Sequence, residues 1–186
     1  MRFNLPNVLT WLRILAIPAV VVLFYIKAPW SDPAAGLLFA AAAITDSLDG
    51  YFARRMGLTS QVGAFLDPVA DKLIVAVALV LLVSKDPSML MTLTAAVIIC
   101  REIAISALRE WMAELGERKR VAVSSLGKWK TILQMTGLSF LLYRAPLLGI
   151  DCYAVGMVLT VIAAILTLVS MTAYLQAASP MFREDK

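Results

Sequence analysis

A chain of 186 residues is about the length of one domain, but 61% of it is apolar and only 16% is charged, with a mean hydropathy of +0.82. That balance excludes an ordinary soluble domain and predicts an all-α protein that crosses a membrane several times. The net charge of +4 comes with no nucleic-acid-binding signature, so the excess positive charge is assigned to a surface near anionic lipid headgroups and no nucleic-acid partner is expected.

The opening MRFNLPNVLTWLRILAIP has no small-residue cleavage site and is polar from Asn4 to Arg13, so it does not read as a signal peptide. It leads instead, with Trp11 at headgroup level, into a first span over 7–27 in which Pro18 is expected to introduce a kink. Further spans are predicted over 34–55, 62–84, 88–109, 126–144 and 152–176, and residues 152–182 carry no charge. Turn signals divide them at Ala28 to Pro33, at Lys85-Asp86-Pro87 and at Arg144 to Gly149. No repeat or linker breaks the chain, so residues 1–186 read as a single membrane domain with six transmembrane helices.

Lys27, Lys85 and Arg144 are the only basic residues that fall outside if the N-terminus is inside, and the rest of the seventeen Lys and Arg fall on the inner half. The positive-inside pattern therefore predicts that both termini are cytoplasmic. Cys100 and Cys152 fall in opposite halves of the bilayer, so no disulfide is expected and both read as packing residues.

Four aspartates interrupt the apolar pattern, at Asp46, Asp49, Asp67 and Asp71. Ionised carboxylates at membrane depth are costly and mark function by default. On helices, Asp46 and Asp49 share one face, and Asp67 and Asp71 share another. The short loop between the two spans makes them antiparallel neighbours, so the two pairs can meet at the cytoplasmic end. Four facing carboxylates repel unless cations lie between them. With no histidine in the chain, hard oxygen ligands suit one or two Mg²⁺ or Mn²⁺ ions. Gly50, Ala53 and Gly63 leave room for a bulky ligand, and Arg54 offers a fixed cation for a phosphate oxygen. Helix caps or ion pairs with Arg54, Arg55 and Lys72 are the bland alternative, and a cation or proton transporter is the sharper rival.

The run Asp46-x2-Asp49-Gly50-x2-Ala53-Arg54-x8-Gly63-x3-Asp67-x3-Asp71 matches the signature of the CDP-alcohol phosphatidyltransferases at every fixed position, and the chain resembles that family. Three flanking segments resemble its bacterial members that use sn-glycerol 3-phosphate: Asn4 to Thr10 with Arg13, Arg101 to Trp111, and Gly127 to Thr131. The resemblance implies transfer of a phosphatidyl group from CDP-diacylglycerol to sn-glycerol 3-phosphate, giving phosphatidylglycerol phosphate and CMP. It implies a two-metal site on Asp46, Asp49, Asp67 and Asp71, with Asp71 as base, and Gly50, Ala53, Arg54 and Gly63 around the CDP moiety. It also implies a bacterial inner-membrane enzyme of phospholipid biosynthesis, with its active site on the cytoplasmic side. A homodimer is suggested by the family rather than by any residue pattern. Inositol phosphate, serine or phosphatidylglycerol remain alternative acceptors that the aspartates do not separate.

An anionic acceptor calls for fixed positive charge, and Arg101, Arg109, Lys128 and Lys130 are the candidates. Glu102, Ser106 and Arg109 form a polar stripe on the fourth helix that should face protein or water rather than lipid. Arg101 lies too deep to reach the headgroups and is expected to pair with Glu102 or a ligand. Lys128 and Lys130 point roughly 200° apart on a regular helix, so both reach one phosphate only if the helix starts irregularly. Snorkelling to headgroups is the alternative for these lysines and the preferred reading for Arg118, Lys119 and Arg120. Asn7, Thr10 and Arg13 either line the cytoplasmic mouth or cap and anchor the first helix.

Overall fold

A computed structural model describes residues 5–56, 61–116 and 125–178, with side chains described over 11–46, 66–116, 129–172 and 174–176. Six helices account for nearly all of it: α1 Leu5–Tyr25, α2 Ser31–Met56, α3 Gln61–Lys85, α4 Met89–Glu114, α5 Ser125–Tyr143 and α6 Cys152–Ala178. Among the described residues the only β pairing is an isolated bridge between Leu147 and Ile150 in the α5–α6 turn.

Local chemistry sets the ends. α2 begins at Ser31, ahead of the expected start, because the Ser31 hydroxyl lies 2.7 Å from the carbonyl of Ile26 and 2.8 Å from that of Ala28. Pro33 in its first turn has no N–H to lose from the helix ladder. Ser88 caps α4 by accepting from the Met91 N–H at 3.3 Å. α4 then runs past its apolar stretch and stops at Gly116, whose φ of +77° suits glycine. α1 continues through Pro18 and α3 through Pro68.

The helices pack as a bundle in which α5 lies along α6 and against α2, α1 joins α2 and α3, and α4 rests on α6 and α3. The core gathers Val20, Phe39, Ala78, Leu79, Met91, Ile98, Leu138 and Leu141. Two glycines let α5 and α6 touch. A Cβ on Gly137 would stand 2.9 Å from the Thr160 backbone nitrogen, and one on Gly156 would stand 2.8 Å from that of Leu141. Small residues at such a contact are what allow membrane helices to pack closely. Gly137→Leu is therefore expected to destabilise the protein by about 1–3 kcal/mol, the usual cost of overpacking, read as a lower unfolding temperature in detergent. An unchanged unfolding temperature would show that the α5–α6 contact is loose.

Burial is inverted relative to a soluble fold. Leu37, Ile44, Val80, Leu93, Ile103, Ile132, Val158 and Ile165 are exposed, while Arg13 (4% exposed), Arg101 (7%) and Lys130 (5%) are buried. An apolar exterior around buried charge is how a lipid-embedded bundle is organised. Met89–Glu114 and Cys152–Gln176 are long and apolar enough to cross a membrane. Both cysteines are free, as expected, but only Cys152 is buried. Cys100 lies exposed on the α4 surface, so it is not the core-packing residue that its type suggested.

One end of the bundle is closed by polar pairs. Lys85 binds Asp32 at 2.7 Å, Tyr153 donates to Asp86, and Arg144 lies 5.0 Å from the centre of the Tyr153 ring. The opposite end carries the aspartates.

Candidate active site

Asp46 projects from just past the middle of α2 and Asp71 from the third turn of α3. α1 supplies the group between them. Arg13 contacts Asp46 at 2.6 Å and Asp71 at 2.8 Å, so its guanidinium draws together carboxylates from two helices. Asp67 is half-buried one turn before Asp71 and within coulombic reach of both Asp46 and Asp71. One buried guanidinium cannot neutralise three carboxylates, and the remaining negative charge calls for a further cation. The side chain of Asp49 lies outside the described residues, as do those of Arg54 and Lys128 and the surroundings of Gly50, Ala53 and Gly63.

The carboxylates open onto a cavity of about 210 Å³ lined by Asp46, Pro68, Asp71, Lys72, Val75, Glu102, Lys130, Thr131, Gln134 and Met135. The α2 and α3 side brings Asp46 and Asp71, with Lys72 beside them. The other carries mixed charge from α4 and α5. There Lys130 meets Glu102 at 2.6 Å, and Arg101 meets the same Glu102 oxygen at 3.2 Å. Arg101 also donates to Ser170 of α6 at 2.9 Å, which in turn donates to the Thr167 carbonyl at 2.9 Å.

The four candidate cations for an anionic acceptor are thus placed differently. Lys130 is on the cavity wall, and Arg101 stands behind Glu102, meeting the pairing expected of it. Arg109 donates to the Tyr174 hydroxyl at 2.9 Å and stacks 5.2 Å from that ring, away from the described lining. Lys128 falls among the side chains not described, and Arg118, Lys119 and Arg120 fall outside the described residues altogether.

The donor chemistry fits a hard divalent ion. Asp46, Asp67 and Asp71 offer only carboxylate oxygen, and they are the groups that would hold Mg²⁺ or Mn²⁺ together with Asp49. Among the described residues no three acidic side chains already close into a coordination group.

A sequence model of the CDP-alcohol phosphatidyltransferases matches residues 3–171. The chain belongs to the CDP-alcohol phosphatidyltransferase family. It is 52% identical over 178 residues to the CDP-diacylglycerol–glycerol-3-phosphate 3-phosphatidyltransferase of Shigella flexneri serotype 5b, covering 96% of each chain. It is 53% identical, with the same coverage, to the enzyme of that name from Escherichia coli strain K12. Membership in this transferase family sets the transporter reading aside and gives the paired aspartates an enzymatic context.

Three members of the site escape assignment from sequence. Arg13 stands there between lining and capping roles, although a cation this deep in an apolar run demands a carboxylate partner. Glu102 stands out only for its place on a polar stripe. Its register four residues before Ser106 gives no sign that α5 brings Lys130 to it. Gln134, one turn after Lys130 and 5% exposed, also lines the cavity, and nothing in its sequence surroundings sets it apart from the helix interior.

Proposed function

We propose that this protein transfers the phosphatidyl group of CDP-diacylglycerol to sn-glycerol 3-phosphate, producing phosphatidylglycerol phosphate and CMP. The observation that carries the reading is one cavity lined by Asp46, Asp71 and Lys130, in a chain about half identical to enzymes named for this reaction. The aspartates suit a cation-bridged diphosphate, and a buried lysine suits a second, free phosphate. Vesicles containing CDP-diacylglycerol, purified protein and glycerol 3-phosphate should accumulate phosphatidylglycerol phosphate, identified by its mass. No such lipid in the presence of Mg²⁺ or Mn²⁺ would refute the assignment.

In the reaction, the acceptor hydroxyl oxygen forms a bond to the phosphorus that carries diacylglycerol. The bond from that phosphorus to the bridging oxygen breaks, and CMP departs with the electron pair. Asp71, at the cavity wall, takes the hydroxyl proton. Arg13 fixes the direction of the Asp71 carboxylate and holds Asp46 in register with it. Gly50, Ala53, Arg54 and Gly63 accommodate the CDP moiety, and Lys130, with Arg101 behind it and Lys128, supplies positive charge for the acceptor phosphate, while Arg109 is engaged by Tyr174 instead. Divalent ions bound by Asp46, Asp49, Asp67 and Asp71, two on this reading, would polarise the diphosphate and stabilise the leaving CMP.

Six membrane spans are supported by helices of 19 to 27 residues with apolar exteriors, and the basic inner half supports cytoplasmic termini and a cytoplasmic site. Residues 1–186 then form one catalytic domain in a bacterial inner membrane, with a homodimer suggested by the family resemblance. Maleimide labelling of single cysteines at Asn4 and Leu148 tests the topology. The account expects labelling of Leu148→Cys alone from outside intact cells, and equal labelling of both would contradict it.

Neutralising Lys130 tests the acceptor pocket. A charge-assisted contact contributes roughly 1.5–3 kcal/mol, so Lys130→Gln should raise the KM for glycerol 3-phosphate by about ten- to a hundredfold. The KM for CDP-diacylglycerol should stay near its wild-type value. A change in the latter alone would move Lys130 to the donor lipid.

A further inference from the structure

From the contacts across the cavity we infer that Glu102 is a positioning residue for acceptor recognition, holding Lys130 and Arg101 where the acceptor phosphate must find them. The inference rests on the reading of Lys130 as an acceptor contact. α4 packs on α6 and α3, and α5 packs on α6, α2 and α3. Between α4 and α5, at the cavity, stands the Glu102–Lys130 pair at 2.6 Å. Lysine has a flexible stem and no preferred direction for its ammonium group. Buried to 5% exposure beside Arg101 at 7%, its ammonium would be repelled by the neighbouring guanidinium without an anion between them.

Glu102 supplies that anion from a fixed base. The same carboxylate oxygen accepts from Lys130 and, at 3.2 Å, from Arg101. Arg101 is tied on its far side to Ser170 at 2.9 Å. The chain Ser170–Arg101–Glu102–Lys130 therefore crosses from α6 through α4 to α5 and ends at the cavity. The other Glu102 oxygen receives no hydrogen bond from the described residues, and Glu102 keeps 27% of its side chain exposed, toward the cavity it lines. A carboxylate at the mouth of an anion site would be a liability if it did not organise the cations there. Its placement makes sense as the resident counter-ion that keeps two buried cations aligned before the acceptor arrives.

The test is a double-mutant cycle on the full chain in lipid vesicles, reading CMP release against each substrate. Lys130→Gln and Glu102→Ala should each raise the KM for glycerol 3-phosphate about tenfold or more, with the KM for CDP-diacylglycerol unchanged. The double variant should fall well short of the product of the two single effects, because Glu102 has only Arg101 left to position once the lysine is gone. Glu102→Gln keeps an acceptor oxygen for Lys130 and should recover part of the loss. If Glu102→Ala fails to fold, as judged by thermal unfolding in detergent, Glu102→Gln decides. A rise confined to the acceptor KM supports the inference, whereas no rise, or a rise in both KM values, overturns it. Fully multiplying effects in the double variant would overturn it too, because Glu102 would then act independently of Lys130. A Glu102 variant with normal kinetics beside an impaired Lys130→Gln would sink the inference alone. Normal acceptor kinetics in Lys130→Gln would instead bring down the acceptor reading on which it rests.

Discussion

Replacing Asp71 with asparagine is expected to lower kcat by about 10²–10⁴-fold, the usual loss on removing a general base, while the KM for CDP-diacylglycerol stays within a few-fold of wild type. The substitution is nearly isosteric. An amide oxygen still accepts the Arg13 hydrogen bond now made at 2.8 Å, so the α1–α3 contact survives while the proton acceptor does not. Asp71 and Lys130 both line the cavity, so an acceptor held there by its phosphate could present its hydroxyl to Asp71. Single-turnover rates alongside donor binding would separate the two roles. Equal loss of donor affinity and turnover would reduce Asp71 to a ligand and leave the base elsewhere.

Asp46→Asn should be more damaging still and should behave like removal of the divalent ion. Asp46 belongs to the other row of carboxylates, and nothing in the reaction asks it to move a proton. On the proposed reading, its loss takes one ligand from the cation that the diphosphate would need. Metal assistance is worth several kcal/mol, and each 1.36 kcal/mol is tenfold in rate, so activity should fall by about 10³-fold or more. A chelator in excess should do the same to the wild-type protein, and added Mg²⁺ or Mn²⁺ should restore it. The variant should still fold, because Arg13 keeps Asp71 as a partner. Undiminished turnover in excess chelator would remove the metal from the account.

The helices are legible in the sequence because their signals are local. Apolar runs broken by Pro33, by Asp86-Pro87 and by Pro146 locate all six helices to within a few residues at most ends. The larger miss is at the end of α4, predicted to close at 109 and observed to reach Glu114. A membrane-span criterion stops where charge begins, whereas a helix needs only continued backbone pairing and ends where Gly116 lets the chain turn. The paired aspartates are equally readable, since carboxylates on one face of an apolar helix are too costly to stay there without a cation to bind. The partners of those residues are not readable. Arg13 lies 58 residues from Asp71 and Lys130 lies 28 from Glu102. Only the packing of α1 on α3 and the approach of α5 to α4 bring them together. Arg109 makes the same point in reverse: it shares a helix with Arg101, yet tertiary structure gives it a tyrosine ring rather than a place on the described cavity wall.

CMP release by purified protein in CDP-diacylglycerol vesicles, measured against a panel of acceptors with Mg²⁺ or Mn²⁺ present, tests the central claim most directly. The account predicts release with sn-glycerol 3-phosphate, matched mole for mole by phosphatidylglycerol phosphate, and little with inositol phosphate, serine, phosphatidylglycerol or no acceptor. Comparable release with a neutral alcohol, or none with glycerol 3-phosphate, would contradict it.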